Sequence, residues 1–143
     1  MEVRQQHLEN TIHTAATAEQ IWRVWTDVNN WTSWDPHALE AKLKGEFVDG
    51  SSIYYKPKDA PAGDNALSGV VPNKQWITTS STPFGKLVFT HTITDNGASR
   101  AVTEHMDANG LIAPLFKRIW AKKRVIAGEE ILSALVAKAA TIE

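Results

Sequence analysis

The chain has 143 residues, 43% of them apolar and 22% charged, with a formal net charge of -1; this composition folds, and it lacks the basic excess of a nucleic-acid binder. It contains no cysteine, which excludes disulfides, thiolate metal ligands and a cysteine nucleophile. No apolar run is long enough to span a bilayer and Met1 to Gln6 hold no apolar signal core, so the expectation is a single cytoplasmic domain over 1–143 with no integral membrane association.

Val3 to Thr14 mixes β-branched and polar residues, with Leu8, Asn10, Ile12 and Thr14 on one parity, and predicts a first strand. Thr17 with Gln20 forms a capping box, and Ile21, Val24, Trp25 and Val28 follow at helical spacing. Asn29-Asn30 ends that helix, and Trp31 to Pro36 predicts a turn or second short helix. From Leu39 the period becomes two: Leu39, Ala41, Leu43, Gly45 and Phe47 alternate with Glu40, Lys42, Lys44 and Glu46, as in a strand with one wet face. Asp49-Gly50 is a hairpin signal, with a return strand over Ile53 to Lys56. Pro57 to Asn65 reads as a loop, followed by strands Leu67 to Val71 and Trp76 to Ser81 and a connection at Pro83 to Gly85. That loop and that connection are expected to flank a pocket mouth and to move. Leu87 to Thr94 and Ser99 to Asp107 form two longer strands around Asn96-Gly97. After Gly110 the period is helical to the end, with Gly128 marking a bend or a close approach.

If the Asn96-Gly97 turn has two residues, Asp95 faces Ala98, and Phe89 faces Glu104 on the inner side of the sheet. His91, Glu104 and Arg100 then converge on an otherwise apolar wall, where an ionisable side chain needs a partner or a cavity. They are the candidate catalytic residues: His91 as acid or base, Glu104 orienting it from a diagonal position, Arg100 holding an enolate or carboxylate oxygen. A mutually satisfied structural pair explains them equally well. Leu43, Phe47, Tyr54, Phe89, Met106, Leu115 and Ile119 are the candidate pocket wall, with Trp34 as a further contact and Tyr55 the alternative to Tyr54, since the Asp49-Gly50 hairpin register is open. The histidines at 7, 13, 37, 91 and 105 lack metal-ligand spacing, so no metal or cofactor is expected. The cations Lys117, Arg118, Lys122, Lys123 and Arg124 spread around one helix and read as a solvated face. Of six tryptophans, four fall at 22, 25, 31 and 34, where they cement a core or line a ligand wall.

The segment TAEQIWRVWTDVNNWTSWDP (Thr17 to Pro36), with Ile21-Trp22, Thr26-Asp27-Val28 and Trp31-x-x-Trp34-Asp35-Pro36, resembles the START-like superfamily, which includes the birch pollen allergen. Gly110-Leu111 with Ala113-Pro114-Leu115-Phe116 resembles the entry to its last helix, and the nearest likeness is to the polyketide cyclase/dehydrase-like group. Ala16-Thr17 departs from the Ala-Pro common there. The resemblance implies an α+β helix-grip fold: a curved antiparallel sheet of about seven strands around a long C-terminal helix, with one or two short helices after strand 1. It implies an internal pocket for a small hydrophobic or aromatic, polyketide- or lipid-like ligand, with cyclase or dehydratase chemistry as one use of it. A carrier or sensor without chemistry, and a chaperone-activator-like interaction module, are the alternatives, with Trp120 the residue to inspect for the last. Fold likeness alone does not choose among them, and ligand identity and oligomeric state stay open.

Overall fold

In the computed structural model, which describes residues 5–58 and 60–142 apart from the side chains of residues 5–7 and Lys117, the period-two segments become one antiparallel sheet. Its strands are β1 (Gln5–Thr14), β2 (Ala38–Lys44), β3 (Ser52–Pro57), β4 (Gly63–Val71), β5 (Gln75–Thr82), β6 (Gly85–Asp95) and β7 (Arg100–Gly110). The order is β1-β7-β6-β5-β4-β3-β2, so six consecutive strands run as a meander and β1 closes onto the last of them. Val3 and Arg4, in the expected first strand, lie outside the described residues.

Helix α1 (Ala18–Thr26) starts at the expected capping box: Gln20 N–H donates to Thr17 Oγ1 at 3.1 Å and Thr17 N–H donates to Gln20 Oε1 at 2.8 Å. A 3-10 helix over Val28–Ser33 follows. The expected single C-terminal helix is instead two, α2 (Ile112–Ile119) and α3 (Ala121–Ala139), divided at Trp120. Helix α3 packs mainly on β1 and α1 and more lightly on β7. It continues unbroken through Gly128. Its missing Cβ admits other side chains: a Cβ there would lie 3.1 Å from Glu104 Oε1 and closer still to the Asn10 amide.

Three other expectations change. The β2 alternation stops at Lys44, and a bulge between Ala38 and Glu40 leaves Leu39 55% exposed. The β2–β3 connection is not a tight hairpin at Asp49-Gly50, since Lys44 pairs with Ser52. Strand β4 begins at Gly63, so the 57–65 loop is shorter than expected.

The meander puts the 45–51, 72–74 and 96–99 connections at one end of the sheet and the 58–62 and 83–84 connections at the other. Helix α1 and the 3-10 helix seal the first end. Ile21, Trp25, Val28, Trp31, Trp76, Ile93, Val102, Leu132 and Leu135 form the core there. A smaller cluster of Met106, Ala108, Ala113 and Phe116 occupies the other end under α2.

Candidate functional site

Between the two clusters runs a belt of buried charge. In β6, Phe89, His91 and Ile93 alternate with threonines, and β7 runs opposite with Val102, Glu104 and Met106 on the same inner face. The connection between them holds four residues, closed by Asn96 N–H donating to Ser99 O at 2.9 Å and Gly97 N–H donating to Asp95 Oδ1 at 2.9 Å. The expected two-residue turn is thus corrected: Asp95 pairs with Arg100, Phe89 with Met106, and His91 sits directly opposite Glu104. Because the connection stays even in length, the expected inner face is kept while each pairing moves along by two residues.

His91 and Glu104 are only 7% and 6% exposed. His91 lies flat on the Trp76 indole, ring centroids 3.7 Å apart and planes 6° from parallel. Its Nδ1 is 3.3 Å from Trp76 O and its Nε2 is 3.6 Å from Glu104 Oε2. The other carboxylate oxygen accepts from Arg124 Nη2. Arg124 comes from the first turns of α3, and its guanidinium stands 5.0 Å from the Phe89 ring centre. Gly128, one helical turn on, lets α3 come close enough to Glu104 for that bond. Burial on its own drives the Glu104 carboxyl upward. The Arg124 charge, with the bond and charge of His91, overcomes this and holds it at about 2. At neutral pH Glu104 is therefore a fixed carboxylate, and both its oxygens face cations or donors.

A second buried carboxyl faces the same interior. Asp35, from the Trp34-Asp35-Pro36 motif, accepts from Tyr55 OH and from His37 N–H, each at 2.8 Å. Burial raises its affinity for protons, and the His37 and Tyr55 bonds restrain the rise. Burial and the neighbouring Asp35 in turn hold the Tyr55 phenol protonated, with Arg124 and Glu104 among the charges it senses.

The other expected site residues divide. Phe89 and Met106 lie on the inner wall beside the belt. Leu43 and Phe47 are partly buried but pack on the sealed end, Phe47 against Trp22 and Trp76. Arg100 does not join His91 and Glu104. It sits at the sealed end, 3.3 Å from Asp95 and donating to Ala15 O and Gly97 O at 3.1 Å each. Tyr54 faces outward, under the Lys44 ammonium, and Tyr55 takes the inward place. Leu115 and Ile119 are 45% and 51% exposed, because α2 turns Ala113 and Phe116 inward instead. Trp34 packs on Trp31 and lines a hollow of about 130 Å³ with Arg23 and Lys138 on the far side of the core. Trp120 is half-buried against Phe116. Arg124 and Asp35 were not among the candidates. Arg124 stood in the basic run, one helical turn before the only glycine of the helix, and that spacing was the available signal.

The belt opens to one side. Since α3 rests on β1, β7 and α1, the inner face of β3 to β6 at the α2 end is left half-exposed at Tyr55, Asn65, Ser80, Leu87 and Phe89. Arg124, 22% exposed, stands over Phe89 on this uncovered face. Ser80 bonds Asn65 across β4 and β5, and the buried Thr82 Oγ1 has no partner among the described residues. No group of three or more His, Asp and Glu among the described residues could hold a metal ion.

A curved antiparallel sheet gripping a C-terminal helix defines a START-like, helix-grip fold. The chain belongs to the family described as polyketide cyclase / dehydrase and lipid transport, whose pattern matches residues 5–140. Its fold is shared by a START superfamily protein from Mycobacterium smegmatis (18% identity, 96% of this chain and 99% of that chain, TM-score 0.73). A truncated norcoclaurine synthase from Thalictrum flavum is also similar (9% identity, 100% and 98%, TM-score 0.77), as is the Zhui aromatase/cyclase from Streptomyces (13%, 96% and 94%, TM-score 0.72). At these identities the likeness is one of fold. No protein of curated function matches the sequence significantly.

Proposed function

We propose that this protein binds a small apolar or aromatic molecule with one anionic or carbonyl group, in the cleft between the β3–β6 inner face and the α2–α3 junction. The observation that carries this is Arg124: a cation over the Phe89 ring, bonded through Nη2 to buried Glu104 and itself 22% exposed, beside an inner wall on which Tyr55, Ser80, Leu87 and Phe89 are partly exposed. A mostly apolar concavity with one convergent charge orients a ligand, and a guanidinium suits a carboxylate, enolate or phenolate oxygen. The family description supports the ligand class, as does a structure of norcoclaurine synthase in complex with dopamine and hydroxybenzaldehyde.

Between catalysis and carriage, the geometry favours carriage. A general base needs a nitrogen free to reach substrate, whereas His91 is buried, its Nδ1 on Trp76 O and its Nε2 turned toward Glu104. In this reading the pair holds Arg124 in place and does no chemistry. Native mass spectrometry of protein purified from its source should show a bound small molecule. His91→Ala should lower stability, because it strips a partner from a buried carboxylate. If instead that variant stays folded and binds ligand but loses a turnover seen in the parent, the cyclase or dehydratase reading replaces this one.

A further inference from the structure

The α2 end of the molecule carries a surface that ligand binding does not use. Leu111, Leu115 and Ile119 are 61%, 45% and 51% exposed. They recur every fourth residue, so they form one apolar row along α2. Phe84, 71% exposed in the β5–β6 turn, is held beside the start of that row. Phe84 O accepts from Ile112 N–H at 3.1 Å, and a Cβ on Gly110 would come within 2.7 Å of the same oxygen. Four large apolar side chains at one end of a molecule are more than scattered surface residues and mark an interaction surface.

The charge around the row selects its partner. From Gly110 to Gly128 there are five Lys and Arg and no Asp or Glu, in a chain whose net charge is -1, so the rest of the chain is acidic. Arg118 is exposed on α2 three positions from Leu115, and Lys122 and Lys123 are exposed in the first turn of α3, just past the end of the row. Lys86 is exposed two residues after Phe84. The division of the α2–α3 region at Trp120 matters here, because it frees α2 to present its own apolar row. A second copy of this chain would bring the same cations face to face. No described helix is long and apolar enough to cross a bilayer. An apolar row bordered by cations fits a surface that is apolar beneath and anionic above.

We propose that Phe84, Leu111, Leu115 and Ile119, flanked by Arg118, Lys122 and Lys123, form a docking surface for an anionic lipid bilayer. Binding is peripheral and reversible. The inference does not depend on what the cleft holds.

The test is co-sedimentation with vesicles of phosphatidylcholine alone and of equal parts phosphatidylcholine and phosphatidylglycerol. The full chain should bind the mixed vesicles and not the neutral ones, and should be released as salt rises. Lys122→Glu with Lys123→Glu should cut binding about tenfold or more, each cation near an anionic surface counting substantially. Leu115→Ser with Ile119→Ser should cut it comparably while leaving circular dichroism and the melting temperature unchanged. Equal binding to both vesicle types, or none to the mixed vesicles at low salt, overturns the proposal. So does a shift of these variants from dimer to monomer by light scattering with vesicle binding intact, which would make the row a self-association face. Salt release of the unaltered protein is decisive even if a variant fails to fold.

Discussion

At the end of the sheet bearing the 45–51 and 96–99 connections, the inner wall is packed shut. Trp25, Trp31 and Phe47 each meet Trp76 there with ring centres 5.4 to 5.8 Å apart, and Trp76 in turn stacks on His91. At the other end the same strands present half-exposed Leu87, Phe89 and Ser80, and α2 leaves its own apolar side chains in water. The strands are alike in both halves, and the covering differs. Helix α1 and the 3-10 helix bring Trp22, Trp25 and Trp31 to one end, whereas α3 lies over β1 and β7 and leaves the other end uncovered. One half keeps the fold, and the other is free to bind.

The comparison predicts a gradient of mutational cost. Trp76→Ala should cost about 3–5 kcal/mol in urea unfolding, as for large aromatic deletions in a core, and Phe89→Ala less than half of that. Equal losses would mean that both halves are core. Arg124→Met comes next, at about 3 kcal/mol or more, because it leaves Glu104 buried without its cation. In that variant burial prevails and the Glu104 carboxyl should titrate above its ordinary range; an NMR titration in which it stays near its parent value would break this account.

The pH dependence follows from the same carboxyl. Its folded value of about 2 lies below the ordinary 4.5, so the folded state binds the proton less tightly than the unfolded chain. Its stabilisation is then complete above about 4.5 and fades as pH falls from there through about 2. Urea midpoints measured down this range should fall in the parent and less steeply in Glu104→Gln. At the open end, amides of the 58–62 and 83–85 segments should exchange faster than those of the 96–99 connection and slow when ligand binds; no change on binding would remove any lid role. The smallest effect is expected at Leu115→Ser, within about 0.5 kcal/mol of the parent, since the side chain is already in water.

Much of this arrangement was readable from periodicity. The capping box at Thr17 is a local signature, and the inward parity of Leu8, Asn10, Ile12 and Thr14 and the inner placement of His91 and Glu104 follow from side-chain alternation, which any connection of even length preserves. Pairing is a longer-range matter. Asn96-Gly97 suits a two-residue turn as well as the four-residue one adopted, and that difference moved Glu104 from diagonal to opposite His91. The choice between Tyr54 and Tyr55 was open because nothing local sets the length of the 45–51 connection, and Tyr55 takes the inward place. Arg124 was hidden for another reason. Its run was projected on one continuous helix, and the division at Trp120 separates Arg118, in water, from Arg124, on Glu104. Gly128 was the residue that reported the contact, since only its missing side chain lets Asn10 and Glu104 reach the helix.

The central claim is that ligand enters the open half and meets Arg124. Titration of labelled protein with anilinonaphthalene sulfonate, an aromatic anion, followed by two-dimensional amide NMR, tests it most directly. The account predicts saturable shifts at Tyr55, Asn65, Ser80, Phe89 and Arg124, with Trp25, Val28 and Trp31 unmoved, and weaker binding in Arg124→Met. Shifts centred on the tryptophan cluster, or no saturable binding, would contradict it.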